Sequence, residues 1–499
     1  MIKKIFPIAL IMFCFATIQA EAASSDEQEQ LEEEIFPENE VIDVEIEIEE
    51  SEWEDILENP MEEEYHPASV NYNGYQLDNI GLRTKGNSSL SSVANQDSDR
   101  YSLKLSLDEY INVQDIAGLN KINLNNNFQD PSYMREYLTY DLMEEMGLPT
   151  PNISFVNVYI NGELWGLYTA VEQIDESFLE RNFDNNYGAL YKPDGEGSDL
   201  IWQDDDIDSY SGLNLKSESS NDNIILDMMD ELNNGSNYED YLNVDEILKF
   251  FAVNTALVNL DSYQGSTAHN YYLYEKNGIF NVVPWDYNMS FGGFGMGMES
   301  SDQTDLLIDE PTQTSLEERP LLANLLENEE YKETYHEYID EIVTGYLDED
   351  SFQSTVQEVS NLISDEVEND PTAFYSYDEH IQSLEEDVDQ VPGLTSFVND
   401  RVENVTQQLD GTIPSYDDGE GSGGNQGGPE GAGENGNVQN GEMPEGFEDR
   451  EQGGPPNMNG GNEEEINVDY TSEMINTGIS LGILTLSLLF VALFRRKRI

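Results

Sequence analysis

Two aspartates and one asparagine in the stretch 250–293 have the residue types and order that metal-assisted phosphoryl transfer requires. Asp261 follows an apolar helical pattern, Asp286 ends an apolar, aromatic strand pattern, and Asn270 lies between them. One carboxylate can accept the proton of an attacking hydroxyl, while the other holds Mg²⁺ against nucleotide phosphates. Acids are abundant in this chain, so a helix cap at Asp261 and a closed turn at Asp286 are the open alternative.

A helix and a hairpin would position these side chains. The apolar spacing from Phe250 to Val258 predicts a helix ahead of Asp261. Asn270–Tyr274 and Phe280–Pro284 predict two strands joined by a Lys-Asn-Gly turn. The two acids therefore end neighbouring elements.

Cations stand out among the motifs, because the chain has only 21 Lys and Arg residues. Lys85 lies in a Lys-Gly-Asn-Ser-Ser turn that suits phosphate, and Lys192 closes a short strand pattern. Lys104 is our preferred phosphate-binding lysine, since strand alternation puts it on the face opposite its leucine neighbours. Glu172 is the acid we expect to pair with one of these lysines. The alternative for each lysine is a strand side chain that faces water.

The net charge excludes one class of partner. Asp and Glu number 103, and the formal charge is −82. Self-repulsion on that scale argues against nucleic-acid binding. Hydrophobic residues at 38% and aromatic residues at 10% still allow a sizeable core, so the acids are expected to form a solvated surface.

Both ends of the chain carry targeting patterns. Residues 1–23 combine a basic start, an apolar stretch and a small-residue cleavage pattern, which predicts a secretory signal peptide. The single cysteine, Cys14, lies inside it, so the mature protein has no thiol chemistry. Residues 471–499 contain an apolar run, Ile475–Phe494, followed by Arg-Arg-Lys-Arg. This pattern predicts a transmembrane helix with a cytoplasmic tail, so we expect an anchored, extracytoplasmic protein.

Composition divides the chain between these ends. Residues 24–40 form an acidic lead that we expect to be flexible, and 41–410 have mixed α and β patterns. Residues 411–470 are rich in Gly, Asn and Glu and predict a disordered stalk.

Strand patterns dominate the first half of the 41–410 domain and helical patterns the second, which predicts an α+β fold with a β-rich and a helical part. The predicted strands are Val41–Glu50 and the Asn-Gly hairpin Ser154–Ile160 with Leu164–Val171, and the predicted helices are Met134–Met146, Leu321–Val343 and Ser351–Ile363.

Weaker signals have structural explanations. His269 adjoins the candidate site, but a loop histidine usually has no role. Arg135 after Asp130 is expected to fix a loop through an ion pair, and Trp285 is expected to be core. The acidic run 203–208 lacks the glycine and glutamate of a calcium loop, so we interpret it as an exposed loop.

The order of seven motifs resembles the CotH family, spore coat protein H-like proteins that are atypical secretory protein kinases. These motifs are LRTKGNSSL (82–90), YSLKLSL (101–107), KINLNNNFQDPSYMREYLTYDLMEEMGLPTP (121–151), VYINGELWGLYTAVEQIDESFL (158–179), GALYKPDG (188–195), VNLDSYQGSTAHNYYLYEKNGIFNVVPWDYNMSFGG (258–293) and RPLLANLLENEEYKETY (319–335).

The resemblance implies a two-lobed, atypical protein-kinase-like domain that uses ATP and Mg²⁺ or Mn²⁺ to modify Ser or Thr of secreted or surface proteins. It implies that Asp261 is the catalytic acid and Asp286 the metal-binding acid, with Asn270 at a second metal by analogy of role. Ordinary kinase signatures are absent from the sequence: no His-Arg-Asp precedes Asp261, and no Gly-x-Gly-x-x-Gly opens the domain.

Two other functions stay open. One is a non-catalytic cell-surface scaffold or adhesin that has kept the fold. The other is a phosphotransferase with a non-protein acceptor, which would share the same site.

Overall fold

A computed structural model describes residues 28, 30–96, 98–217, 221–294 and 303–422. The predicted signal peptide, the predicted transmembrane segment and most of the predicted stalk lie outside the described residues. Among the described helices, none has the length and apolar character needed to cross a bilayer.

The described residues form eleven strands and eleven helices. The strands are β1 (Ile42–Ile48), β2 (His66–Tyr72), β3 (Tyr75–Thr84), β4 (Leu103–Ser106), β5 (Lys121–Asn125), β6 (Ile153–Ile160), β7 (Glu163–Glu172), β8 (Leu190–Pro193), β9 (Leu213–Leu215), β10 (Tyr271–Lys276) and β11 (Ile279–Pro284). The helices are α1 (Glu50–Glu58), α2 (Ser88–Ala94), α3 (Arg135–Glu145), α4 (Glu176–Phe183), α5 (Asp222–Asn234), α6 (Val244–Ala256), α7 (Pro320–Leu326), α8 (Glu329–Thr344), α9 (Glu349–Asn369), α10 (Tyr377–Ser383) and α11 (Leu394–Leu409).

The first seven strands close into a barrel in the order β1-β2-β3-β4-β5-β7-β6. All pairs are antiparallel except β1 with β6, which run parallel and close the barrel. Strand β1 alternates strictly between buried and exposed residues, so Val44 and Ile46 enter the barrel core while Glu45 and Glu47 face water. The strand predicted over Val41–Glu50 is confirmed.

A second sheet, in the order β11-β10-β8-β9, lies beside the helical part of the chain. Its β10–β11 hairpin turns at Asn277-Gly278, and the β6–β7 hairpin of the barrel turns at Asn161-Gly162. All four turn residues have positive φ, as a two-residue hairpin turn of this kind requires. Both predicted hairpins are confirmed.

The helices from α3 onward pack with the second sheet around one large apolar core, whereas α1 packs on the barrel core. Helix α6 is its centre, since ten of its residues are buried. The helix predicted over Leu321–Val343 is two helices, α7 and α8, because Asn328 accepts a hydrogen bond from the Glu330 N–H and caps a new start. The α+β class, with a β-rich first part and a helical second part, is confirmed.

Both borders of the domain extend further than composition predicts. In the acidic lead, Leu31 and Ile35 are buried in the barrel core, so this part is packed rather than free. At the other end, Ser415 and Gly421 hydrogen-bond to Asp309 and Glu310. The first residues of the predicted stalk, 411–422, therefore belong to the folded part.

Candidate functional site

Asp261 lies in the loop that follows α6 and is held by its two polar neighbours in space. Its Oδ1 is 2.8 Å from His269 Nε2, and its Oδ2 accepts from Asn270 Nδ2 at 3.2 Å. Asn270 also donates to the Asp261 carbonyl at 2.9 Å, so the amide clamps the loop. The Asp261 side chain is 15% exposed, which leaves one edge of the carboxylate accessible.

Burial and hydrogen bonding act in opposite directions on this pair. Burial raises the pKa of Asp261 despite the lowering effect of the His269 hydrogen bond. Burial also disfavours charge on His269, yet the hydrogen bond and charge of Asp261 outweigh it and the pKa of His269 is raised. An imidazole next to a half-buried carboxylate suits a site that accepts and releases a proton. His269 adjoins Asn270 along the chain, but no local pattern indicated that its ring would contact Asp261.

Asp286 lies two residues past the end of β11, in a left-handed conformation with φ of 62°. Its backbone N–H donates to the Tyr140 hydroxyl of α3 at 3.1 Å, which holds this uncommon conformation. The charge of Asp286 raises the pKa of both Asp261 and His269, so Asp286 lies near enough to act on this pair. A shared site formed by the two acids stays a prediction.

Three predicted lysines converge on the same space. Lys85 and Lys192 both interact electrostatically with Asp286, and the charge of Lys192 also acts on Lys85. Lys104 lies next to them, on the outer face of the barrel, where its Nζ donates to Gln173 Oε1 at 2.6 Å. We call the group formed by Asp261, Asp286 and these lysines the cationic cleft.

The charged groups that act most strongly on Lys104 are all cations. Burial lowers the pKa of Lys104 to about 7, and the neighbouring charges Lys85, Arg83, Lys121 and Lys192 lower it further. Burial likewise lowers the pKa of Lys85 and of Lys192, with Asp286 opposing the shift in both. In a chain of net charge −82, such an excess of buried positive charge indicates a binding site for an anion.

The predicted role of Glu172 is wrong. Cross-strand partners share a face of a sheet, and Glu172 pairs with Ile122, whereas Lys104 pairs with Asn123. Glu172 therefore lies on the opposite side of the strand from Lys104. It is fully buried and forms its ion pair with Arg181 of α4, with a further bond from Asn152.

Glu136 of α3, rather than Glu172, is the acid that is linked to a lysine of the cationic cleft. Its Oε2 accepts from Asn125 Nδ2 at 2.8 Å, and Asn125 Oδ1 accepts from Lys85 Nζ at 2.5 Å. Burial raises the pKa of Glu136, and Asp286 raises it further. One signal in the sequence pointed to it: Glu136 lies at helical spacing from Tyr140 and Met143, so it shares the face of α3 that these buried residues form.

Two aromatic rings form an apolar wall of the cleft. Lys192 Nζ lies 5.6 Å from the centre of the Tyr272 ring and 5.4 Å from that of Trp285, and Lys85 Nζ lies 5.7 Å from Trp285. Trp285 is buried as expected, but it contacts the lysines instead of serving only as core.

The donors present fit a magnesium ion shared with a nucleotide. Asp286 offers a carboxylate. The Asn270 amide nitrogen donates a hydrogen bond to Asp261, which leaves the Asn270 amide oxygen to serve as a metal ligand. Mg²⁺ is usually held by one or two carboxylates together with substrate phosphates and water. Accordingly, the described residues contain no group of three or more His, Cys, Asp or Glu that could hold a metal without such phosphates.

Arg135 has the structural role that its position predicts. It is fully buried, lies 3.5 Å from Asp130 and donates to the carbonyls of Ser290 and Phe291. It therefore fixes the chain that follows Asp286 to the start of α3. The acidic run 203–208 is largely exposed, as interpreted.

Comparisons with known proteins agree with this architecture. The family model described as CotH kinase protein matches residues 82–405, which include every residue of the cationic cleft. The chain is 30% identical over 188 residues to the inner spore coat protein H of Bacillus subtilis (strain 168), covering 35% of this chain and 51% of that protein. It is 23% identical over 263 residues to invasin CotH2 of Rhizopus delemar, covering 48% and 44%.

Invasin CotH3 of the same fungus matches similarly, at 22% identity over 265 residues, covering 48% of this chain and 43% of that protein. The chain thus spans about half the length of the curated relatives it matches. The family match covers well over half of the chain, so this protein belongs to the CotH kinase protein family.

Proposed function

We propose that this protein is an extracytoplasmic kinase that transfers the γ-phosphate of ATP to Ser or Thr of secreted or surface proteins. Residues 1–23 direct its secretion, and 471–499 anchor it in the membrane. The observation that carries the proposal is the cationic cleft, in which two interacting aspartates face a cluster of lysines. Family membership supports phosphoryl transfer, and the acceptor is our inference.

In this proposal the lysines bind the triphosphate. Lys85 and Lys192 flank Asp286, and Lys104 extends the positive surface along the outside of the barrel. Glu136 orients Lys85 through Asn125, as the Lys–Glu pair does in protein kinases. The triphosphate neutralises the charges of the three lysines, which repel one another when it is absent. This stabilises the complex with ATP.

Asp286 and Asn270 hold the metal through their side-chain oxygens. When bound, Mg²⁺ or Mn²⁺ supplies the positive charge that neutralises the phosphate oxygens. We expect the left-handed backbone at Asp286, held by the hydrogen bond to Tyr140, to direct that carboxylate toward the lysines and Asp261.

Asp261 acts as the base. Its Oδ2, whose contact with Asn270 is the longer one at 3.2 Å, takes the proton of the acceptor hydroxyl. His269 holds the other oxygen and orients the carboxylate. Burial keeps the pKa of Asp261 above its ordinary value, closer to the pH at which a base is most effective.

The test is transfer of label from γ-labelled ATP by the full chain with Mg²⁺ or Mn²⁺, using the protein itself and a panel of protein and non-protein acceptors. We expect labelling that is lost in both Asp261→Asn and Asp286→Asn. Asp340→Asn, an exposed aspartate of α8, is the matched control and should keep it. Absence of labelling with every acceptor, or labelling that survives both changes, would refute the proposal.

A second candidate function is adhesion without catalysis. It is favoured by the two fungal relatives, whose names describe invasins. Replacing Asp286 by Ala separates the two candidates, since an adhesin would keep its surface phenotype and a kinase would lose it.

A further inference from the structure

A cavity among the described residues lies away from the cationic cleft, at one end of the barrel. Its volume is about 1440 Å³. The acidic lead, α3 and α4 form its walls, together with the ends of β7 and of the segment before β6. This volume is ample for an organic ligand, since small-molecule sites commonly measure roughly 300–1000 Å³. We call it the acidic cavity.

Carboxylates dominate the lining of the acidic cavity. They are Glu32, Glu33, Glu38, Glu40, Asp141, Glu144, Glu172, Glu180 and Asp184, and Arg181 is the one cation among the described lining residues. Several face each other: Glu38, Asp141 and Glu32 all act on Glu144, whose pKa is raised by burial and by these neighbours. Repulsion of this kind is relieved by a bound cation.

At the bottom of the cavity lies a buried carboxylate with an unused oxygen. Glu172 is fully buried, and its Oε2 accepts from Arg181 and Asn152. Its Oε1 accepts no hydrogen bond from the described residues, although it is removed from water. An unsatisfied buried carboxylate oxygen is costly, and a ligand N–H donor would satisfy it.

The arrangement does not suit a bare metal ion. Among the described residues, no three acidic or histidine side chains come close enough together to bind one. The acids are instead spread around a cavity that also has apolar walls, from Leu31, Phe36, Leu119 and Leu148. Separated charges with apolar surface between them match a chain of amines spaced by methylene groups.

We propose that the acidic cavity binds an aliphatic oligoamine, with one ammonium group at Glu172 and the others along the rim formed by Glu38 and Glu144. The methylene groups of such a ligand cover Leu31 and Phe36. The ammonium groups replace the mutual repulsion of the rim acids by attraction.

Helix α3 connects this cavity to the cationic cleft. Tyr140 lines the cavity, and its hydroxyl accepts from the Asp286 N–H. On the same helix, Glu136 faces Lys85. An oligoamine that orders α3 is therefore expected to raise the affinity for nucleotide, and this second effect rests on the proposed function.

The test is calorimetric titration of spermine into the full chain at physiological salt. We expect saturable binding that weakens at least tenfold in Glu38→Gln/Glu144→Gln, two exposed rim positions, and in Glu172→Gln. The matched control is Glu333→Gln/Glu337→Gln, an exposed pair on α8, which should change the affinity less than twofold. If Glu172→Gln fails to fold, the rim pair alone decides.

Two results would overturn the proposal. One is the absence of saturable binding. The other is equal weakening in the rim pair and the α8 pair, which would mean that spermine only condenses on a highly charged surface. Because the titration contains no ATP, its outcome is independent of kinase activity. Only the nucleotide effect, measured as ATP affinity with and without spermine, fails together with the proposed function.

Discussion

The cationic cleft and the acidic cavity lie on opposite sides of the same strands and carry opposite charge. One row across the barrel contains Lys104 and Asn123, and the next contains Leu105, Ile122 and Glu172. A shift of a single residue along β7 thus separates the face that carries Lys104 from the face that carries Glu172. The alternation of side chains along the strands therefore puts the positive charge of Lys104 and the negative charge of Glu172 on opposite faces.

Helix α3 is the element that both regions share. Glu136 faces the cleft and Glu144 lines the cavity. Tyr140 also lines the cavity, and its hydroxyl accepts a hydrogen bond from the Asp286 N–H in the cleft. If the two regions have the separate roles we infer, a change in one region should leave binding to the other intact when its own ligand is absent.

The largest effect is expected from removal of the metal-binding acid. Asp286→Ala should lower label transfer by roughly 10³-fold or more, because the charge that holds the metal and phosphates is lost. Spermine binding to the acidic cavity should not change. Loss of both activities together would mean that the change disrupts the fold, and circular dichroism would detect this.

The next effect concerns the lysines of the cleft. Lys85→Met should weaken ATP binding by about 10- to 100-fold, the size expected for a charge-assisted contact. Lys216→Met is the control, since Lys216 is exposed at the end of β9. Equal affinities of the two variants in a fluorescent-nucleotide titration would argue against a role of Lys85 in binding.

A pair of glutamates separates the two regions directly. Glu136→Gln should lower label transfer by about tenfold with little change in the free energy of unfolding, because it orients Lys85. Glu172→Gln should instead lower the free energy of unfolding by about 1–2 kcal/mol, since it weakens the contact with Arg181. Label transfer and urea denaturation of both variants test this, and the reverse pattern would restore Glu172 to the cleft.

The smallest effect is a pH dependence. Lys104 has a pKa of about 7 when free, and bound phosphate favours its charged form, so nucleotide binding takes up a proton above pH 7. ATP affinity should therefore fall about fivefold between pH 7 and pH 8, as linkage for one such group requires. In Lys104→Met this fall should disappear. An unchanged pH profile in the variant would assign the proton uptake to another group.

Local patterns predict the elements of this fold well. The Asn-Gly turns, the alternating strand β1 and the amphipathic α3 each depend on residues that are neighbours in sequence, so their physics is visible there. The hairpin brings the chain near Asn270 and near Asp286 to the same end, and Asn270 hydrogen-bonds to Asp261.

Long-range pairing was not predictable. Whether Glu172 faces Lys104 depends on the register between β5 and β7, which no local pattern determines. The link from Lys85 through Asn125 to Glu136 likewise joins three separate elements. The packing of residues 411–422 depends on buried Glu310, whose carboxylate accepts from Asp417 and Gly421 in a segment whose composition indicated a stalk.

Binding of Mn²⁺ in the presence of ATP shows directly whether Asp286 and Lys85 belong to one site for metal and nucleotide. Electron paramagnetic resonance of free Mn²⁺ measures how much metal the full chain removes from solution. We predict that the wild-type chain removes Mn²⁺ at the cleft only when ATP is added, and that Asp286→Asn and Lys85→Met both abolish the ATP-dependent part. ATP-dependent binding that both variants retain in full would contradict the account.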